Sequence, residues 1–117
     1  MKLSQKQQIF SLRLAEFIVW CFENGYNVTR GEAYRTKDQQ AIYVVAGKSE
    51  TMESKHCIRL AQDLNLFIDG VYITDKELYR PLGEKWESLG GTWGGRFGVK
   101  LDNYDSQIGW DSNHFEF

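Results

Sequence analysis

Histidine, cysteine and proline are scarce: the 117 residues hold two, two and one of them. Two cysteines, Cys21 and Cys57, leave no disulfide framework and no CxxC zinc pair. They fit synthesis in a reducing compartment. Charge of one sign is also lacking. The net charge is -2, with no run of five or six like charges and no aromatic-basic repeat. No nucleic-acid partner is therefore expected. Long apolar runs are missing too. The richest stretch, "IFSLRLAEFIVWCF", is broken by Arg13 and Glu16. It is too short and too charged to span a bilayer, and no small-residue cleavage site follows it. It reads as an amphipathic core helix, with no membrane insertion. The chain is expected to be made in the cytoplasm without a signal peptide. A working place elsewhere would require release by another system.

What remains is ordinary for a soluble protein, with 42% apolar and 26% charged residues. The length suits one domain, residues 1–117, with one core, and a monomer is expected. Ser4 with Gln7 has capping-box spacing, and Ile9, Leu12, Phe17 and Trp20 follow at near-helical intervals. This predicts a helix from Gln5 to Glu23 that stops at Gly25. "YNVTRGEAYR" predicts a short extended stretch with a break near Gly31. In "TKDQQAIYVVAGK", Asp38 can cap a short helix through Ala46, with Gly47 as its stop. "RLAQDLNLFID" alternates as a strand, and Asp69-Gly70 predicts a hairpin turn. "TDKELYRPLGEKWESLG" predicts a helix capped by Thr74 or Asp75 and broken or kinked at Pro81. Tyr79 and Trp86 fit its core stripe. Residues 90–109 hold six of the eleven glycines and predict a long irregular loop of functional use. Trp93 and Phe97 would pack beneath or against a ligand there. "SNHFEF" closes the chain as a strand. The mixture predicts an α+β domain, a small antiparallel sheet flanked by helices.

The two histidines, His56 and His114, each lie near an acid. On one straight strand His56 and Asp63 would stand about 23 Å apart on opposite faces. On one helix they would be about 10.5 Å apart along the axis. Sharing a metal requires the chain to fold back between them, and "CIR" holds no glycine or proline to announce a turn. Spacing alone thus favours a surface histidine and a surface aspartate over a shared metal. Asp111 and His114 have i, i+3 spacing, which brings them together on a helical turn or where a turn enters a strand. An imidazole and a carboxylate so placed suit zinc hydrolysis, one ligating and the other taking a proton from water. A helix cap before a half-exposed histidine fits them also. Glu116 would share a strand face with His114, as a partner for it or as edge solvation. Cys57 reads as core, as does Trp110, which could otherwise shape a pocket.

"SKHCIRLAQDL" resembles the Ser-x-His-x6-Asp segment of the zinc D-alanyl-D-alanine carboxypeptidase family. That family also includes D-Ala-D-Ala dipeptidases and the L-alanyl-D-glutamate endopeptidases of phage endolysins. "WDSNHFEF" resembles its closing Asp/Glu-x-x-His motif, and "RGEAYRT" its upstream arginine segment. The segments come in family order from Gly31 to Phe117. The resemblance implies a Hedgehog/DD-peptidase fold and a zinc peptidase of peptidoglycan stem peptides. Carried over by position, His56, Asp63 and His114 would hold Zn2+. Asp111 would be the general base, Arg35 would face the oxyanion and hold a substrate carbonyl or carboxylate, and Ser54 would line the substrate site. Where many members have glycine this chain has Arg59, and some members have glutamate at the place of Asp111. The expected activity is that of a phage-type L-alanyl-D-glutamate endopeptidase. The alternatives are a D-Ala-D-Ala carboxypeptidase or dipeptidase, and a non-catalytic wall-binding zinc module.

Overall fold

Alternation along "AQDLNLFI" turns Leu64 and Leu66 to one face of a strand and Asp63 and Asn65 to the other. That strand is the middle of the sheet. The computed structural model describes residues 1–49 and 51–117. Its elements are α1 (Leu3–Glu23), β1 (Asn27–Arg30), α2 (Lys37–Val45), β2 (Ala61–Ile68), β3 (Val71–Tyr72), α3 (Arg80–Ser88), β4 (Thr92–Trp93) and β5 (His114–Glu116). Short 3-10 turns stand at Lys55–Ile58, Lys76–Tyr79, Gly94–Arg96 and Leu101–Asn103. The strands pair antiparallel in the order β1-β2-β5-β4, and β3 pairs with β2 through the turn at Asp69 and Gly70. Both turn residues have positive φ, 50° and 78°, as a tight hairpin needs. The α+β fold expected from the sequence is the one observed.

One face of the sheet carries the core. Phe10, Phe17 and Cys21 of α1 and Leu82 and Trp86 of α3 pack on Leu64, Leu66, Trp93 and Phe115. The Phe17 ring lies 5.0 Å from Phe115 and 5.2 Å from Trp86, centre to centre. Tyr79 is buried here as expected, its hydroxyl accepting from the Leu66 N–H at 3.0 Å. Trp93 is fully buried and donates to the Ser112 carbonyl at 2.7 Å. It is therefore core, and could lie only beneath a ligand, not against it. Gly83 has no room for a side chain, since a Cβ would lie 2.0 Å from the Trp93 ring.

Several boundaries differ from the sequence expectation. α1 starts at Leu3, and the side chain that closes its first turn is Gln5, which accepts from the Lys2 N–H at 2.8 Å. Ser4 lies inside the helix. Thr36, not Asp38, caps α2, accepting from the Gln39 N–H at 3.0 Å. Pro81 does not break a helix. It sits in the first turn of α3, where its missing N–H is no loss. Residues 90–109 are more ordered than their glycines suggest. β4 pairs with β5, and Arg96 ties the loop down by bonds to both Glu87 carboxylate oxygens and to the Tyr104 carbonyl. Cys57 is half-buried in a 3-10 turn, not in the core. Among the described residues no helix is long and apolar enough to cross a membrane.

The fold-back between His56 and Asp63 is real, and Arg59 makes it. The 3-10 turn at Lys55–Ile58 ends on Arg59 in the left-handed region, φ 57° and ψ 37°. Its guanidinium lies 4.0 Å from the centre of the Tyr34 ring. A side chain at left-handed φ costs about 1–2 kcal/mol that glycine does not. Arg59→Gly should therefore be more stable than Arg59→Ala by about 1 kcal/mol. Both variants lose the Tyr34 contact, so their urea midpoints isolate the backbone term. Equal midpoints would show that the turn carries no such strain.

Candidate active site

Antiparallel register places Asp63 directly opposite His114. Alternation turns both side chains, and that of Glu116, away from the core face held by Leu64 and Phe115. The bend at Arg59 then returns His56 to the same place. Three donor atoms result. His56 Nε2 is 3.2 Å from Asp63 Oδ1, His114 Nδ1 is 3.3 Å from Asp63 Oδ1, and the two ring nitrogens are 3.2 Å apart. Both histidines are buried, 2% and 5% exposed.

The outer nitrogens decide what the inner ones can do. His56 Nδ1 is 2.8 Å from the Ala33 carbonyl, and His114 Nε2 is 2.8 Å from Glu116 Oε1. An N–H donated outward on each ring leaves a lone pair pointing inward on each. In that tautomer two lone pairs and a carboxylate face one another, an arrangement that asks for a cation, whether a proton or a metal ion. The chemistry of the set fits zinc. With zinc–ligand bonds of 2.0–2.1 Å, the edge of a tetrahedron is about 3.3–3.4 Å, close to the three separations found. His56, Asp63 and His114 could thus hold a zinc ion. Without metal, burial alone would raise the Asp63 pKa. Hydrogen bonds from His114 and His56 outweigh it and hold Asp63 down at about 2. Burial alone would lower His114, but bonds to Asp63 and Glu116, with the charge of Asp111, raise it to about 9.

Asp111 stands beside the triangle and outside it, its Oδ2 3.7 Å from His114 Nδ1. The turn is closed by the His114 N–H donating to the Asp111 carbonyl at 3.1 Å. Gly94 packs against this turn. A Cβ there would lie 2.1 Å from the Asp111 carbonyl oxygen and 2.9 Å from His114 Cβ. Burial is the main cause of a raised Asp111 pKa, with nearby Arg35 and the histidines pulling the other way. Ser54 caps the 3-10 turn, accepting from the His56 N–H at 3.2 Å, and Arg35 Nη1 reaches the same hydroxyl at 3.5 Å. The Arg35 N–H donates to the His56 carbonyl at 3.2 Å. All six residues expected from the sequence (Arg35, Ser54, His56, Asp63, Asp111 and His114) line one cleft of about 1010 Å³.

Trp110 is 59% exposed on the cleft wall. It shapes the pocket, against the core role expected for it. Its neighbour Phe97 lies 5.5 Å from the His114 ring. Gln40 and Tyr43 belong to no motif read in the sequence, and Glu32 lies in the arginine segment without a role given to it, yet all three hold Arg35. Glu32 pairs with Nε, Gln40 Oε1 accepts from Nη1 at 2.7 Å, and the Tyr43 ring lies under the guanidinium at 4.6 Å. Gln40 is fully buried, although α2 also carries Ile42, Val44 and Val45. Glu116 accepts from His114 and is no mere edge charge. Glu116→Ala should weaken zinc binding about 10- to 100-fold in a chelator-competition titration. A change under about threefold would return it to edge solvation.

Comparison with known proteins shows the family. Residues 47–117 match the profile of a family described as D-alanyl-D-alanine carboxypeptidase. The L-alanyl-D-glutamate peptidase of Listeria phage A118 is 38% identical over 89 residues, covering 72% of this chain and 31% of that protein. The chain thus spans about a third of the relative it matches. The L-Ala D-Glu endopeptidase ChiX of Serratia marcescens superposes with a TM-score of 0.60 at 23% identity, over 79% of this chain and 67% of that one. The vancomycin-resistance D,D-pentapeptidase VanY, solved with Zn(II), gives 0.59 at 22% identity, over 92% and 70%. At these identities the two structures speak for the fold, and the matched profile, which takes in both histidines and both site aspartates, speaks for the family. The chain belongs to the D-alanyl-D-alanine carboxypeptidase family of peptidases.

Proposed function

We propose that the chain is a zinc-dependent peptidoglycan peptidase that cuts the L-alanyl-D-glutamate bond of stem peptides. The observation that carries this reading is the triangle of His56, Asp63 and His114, whose lone pairs converge at tetrahedral spacing. The name of the phage relative supports the choice of bond. Its working place would be the cell wall, reached after release from the cytoplasm.

Zinc, when bound, supplies Lewis acidity that activates a water and polarises a carbonyl. The chain supplies the rest. Asp111 takes the proton of the attacking water on Oδ2 and returns it to the leaving amine. Its raised pKa suits it to that task. Arg35 offers its guanidinium N–H groups to the carbonyl oxygen on which charge collects and to the carboxyl or carboxamide beside it. Glu116 and the Ala33 carbonyl keep the two histidines in the ligating tautomer. Phe97 keeps water from one face of His114.

A D-Ala-D-Ala carboxypeptidase is the second reading, favoured by the matched family's description. Digestion of purified peptidoglycan by the zinc-loaded protein, read by mass spectrometry, separates the two. New L-alanine carboxyl ends paired with D-glutamate amino ends are expected. Loss of terminal D-alanine alone would select the second reading, and binding without hydrolysis would leave a non-catalytic module.

A further inference from the structure

Arg35 does not meet the cleft as an unmatched cation. Glu32 pairs with its Nε, and the Tyr43 hydroxyl donates to the other Glu32 oxygen at 3.2 Å. The Arg35 and Glu32 side chains are 13% and 29% exposed, so water screens the pair only in part. Glu32 itself lines the cleft with the triangle. A guanidinium matched in this way still donates hydrogen bonds to a neutral carbonyl. It has less to offer a carboxylate, because the incoming charge also meets Glu32.

We propose that Glu32 sets the specificity of the site by neutralising Arg35. The residue after the scissile bond is then taken with its α-carboxyl amidated in preference to free. This rests on the peptidase reading above. D-Glutamate in a stem peptide continues the chain through its side chain, so its α-carboxyl stands free or amidated, and the site must face one or the other. Glu32 acts through Arg35 and is a positioning residue. Lys48 and Lys55 also line the cleft, so the informative quantity is the change on removing Glu32.

The test uses two synthetic substrates, acetyl-L-alanyl-D-glutamate γ-amides that differ only in a free or amidated α-carboxyl. For the zinc-loaded wild type, kcat/KM should favour the amidated one. In Glu32→Gln the ratio should move toward the free acid by about tenfold, the worth of one charge-assisted hydrogen bond. The change should fall in KM of the acid, and Glu32→Asp should restore the wild-type ratio. A merely structural role would lower both substrates together. A ratio unmoved within about twofold, or a wild type that prefers the free acid, would overturn the proposal. Should Glu32→Gln fail to fold, the wild-type ratio decides. If the wild type cuts neither substrate, the peptidase reading fails, and calorimetric binding of the two compounds still tests the preference. Binding that favours the amide upholds it, while binding that favours the acid, or no binding at all, overturns it.

Discussion

Replacing Asp111 with asparagine should leave one zinc per chain and lower turnover by at least about 10³-fold, within the range that general acid–base groups supply. Asparagine keeps the shape and the hydrogen bonds of the turn. It cannot take a proton. The three donor atoms of His56, Asp63 and His114 meet one another without Asp111, whose nearest oxygen is 3.7 Å from His114 Nδ1, so metal content should hold. Metal analysis beside a kcat measurement checks both halves. Zinc lost together with activity would make Asp111 a ligand, and activity retained would remove it from proton transfer.

The second large effect is the exchange of zinc for a proton. In the metal-free chain His114 has its pKa raised from the ordinary 6.5 to about 9 by Asp63 and Glu116, against burial. A raised pKa contributes stability that is full below 6.5 and is lost as pH rises through about 9. Asp63, lowered from 3.8 to about 2, contributes stability that is present above 3.8 and is lost as pH falls through about 2. The metal-free melting temperature should therefore be highest between those ordinary values and should fall toward pH 9. Near neutral pH that proton must leave before a zinc can enter, because only a bare lone pair ligates. Zinc loading should thus release about one proton per site, measured by calorimetry in buffers of different ionisation enthalpy. At a hundredfold excess over Kd, zinc should add about 2.7 kcal/mol of stability. His56→Ala should erase that gain. Zinc binding without proton release, or an equal gain in His56→Ala, would place the ion elsewhere.

The residues that meet in the cleft were legible because the chain has so few candidates. With two histidines and an acid near each, little else could form a site, and the segments around them resemble a known family in the right order. The turn that unites them was not legible. Left-handed bends are usually announced by glycine, and here Arg59 takes the conformation. The holders of Arg35 were hidden for another reason. Glu32 lies past the end of β1, Gln40 and Tyr43 lie on a short helix, and only the tertiary fold brings them to one guanidinium. A fully buried glutamine leaves no trace in a hydrophobicity pattern. The ordering of residues 90–109 escaped for lack of length. A two-residue β4 has no period to read, and Arg96 anchors the loop through a glutamate on α3. Trp110 misled because large aromatics are usually buried, whereas its place next to Asp111 puts it on the cleft wall.

The most direct test of the account is X-ray absorption at the zinc edge of the loaded protein. Two imidazole nitrogens and one carboxylate oxygen at about 2.0–2.1 Å, with one further oxygen neighbour, no sulfur and one zinc per chain, is the result predicted. A sulfur neighbour near about 2.3 Å would draw Cys57 into the site, and failure of the chain to retain zinc at neutral pH would contradict the His56–Asp63–His114 centre outright.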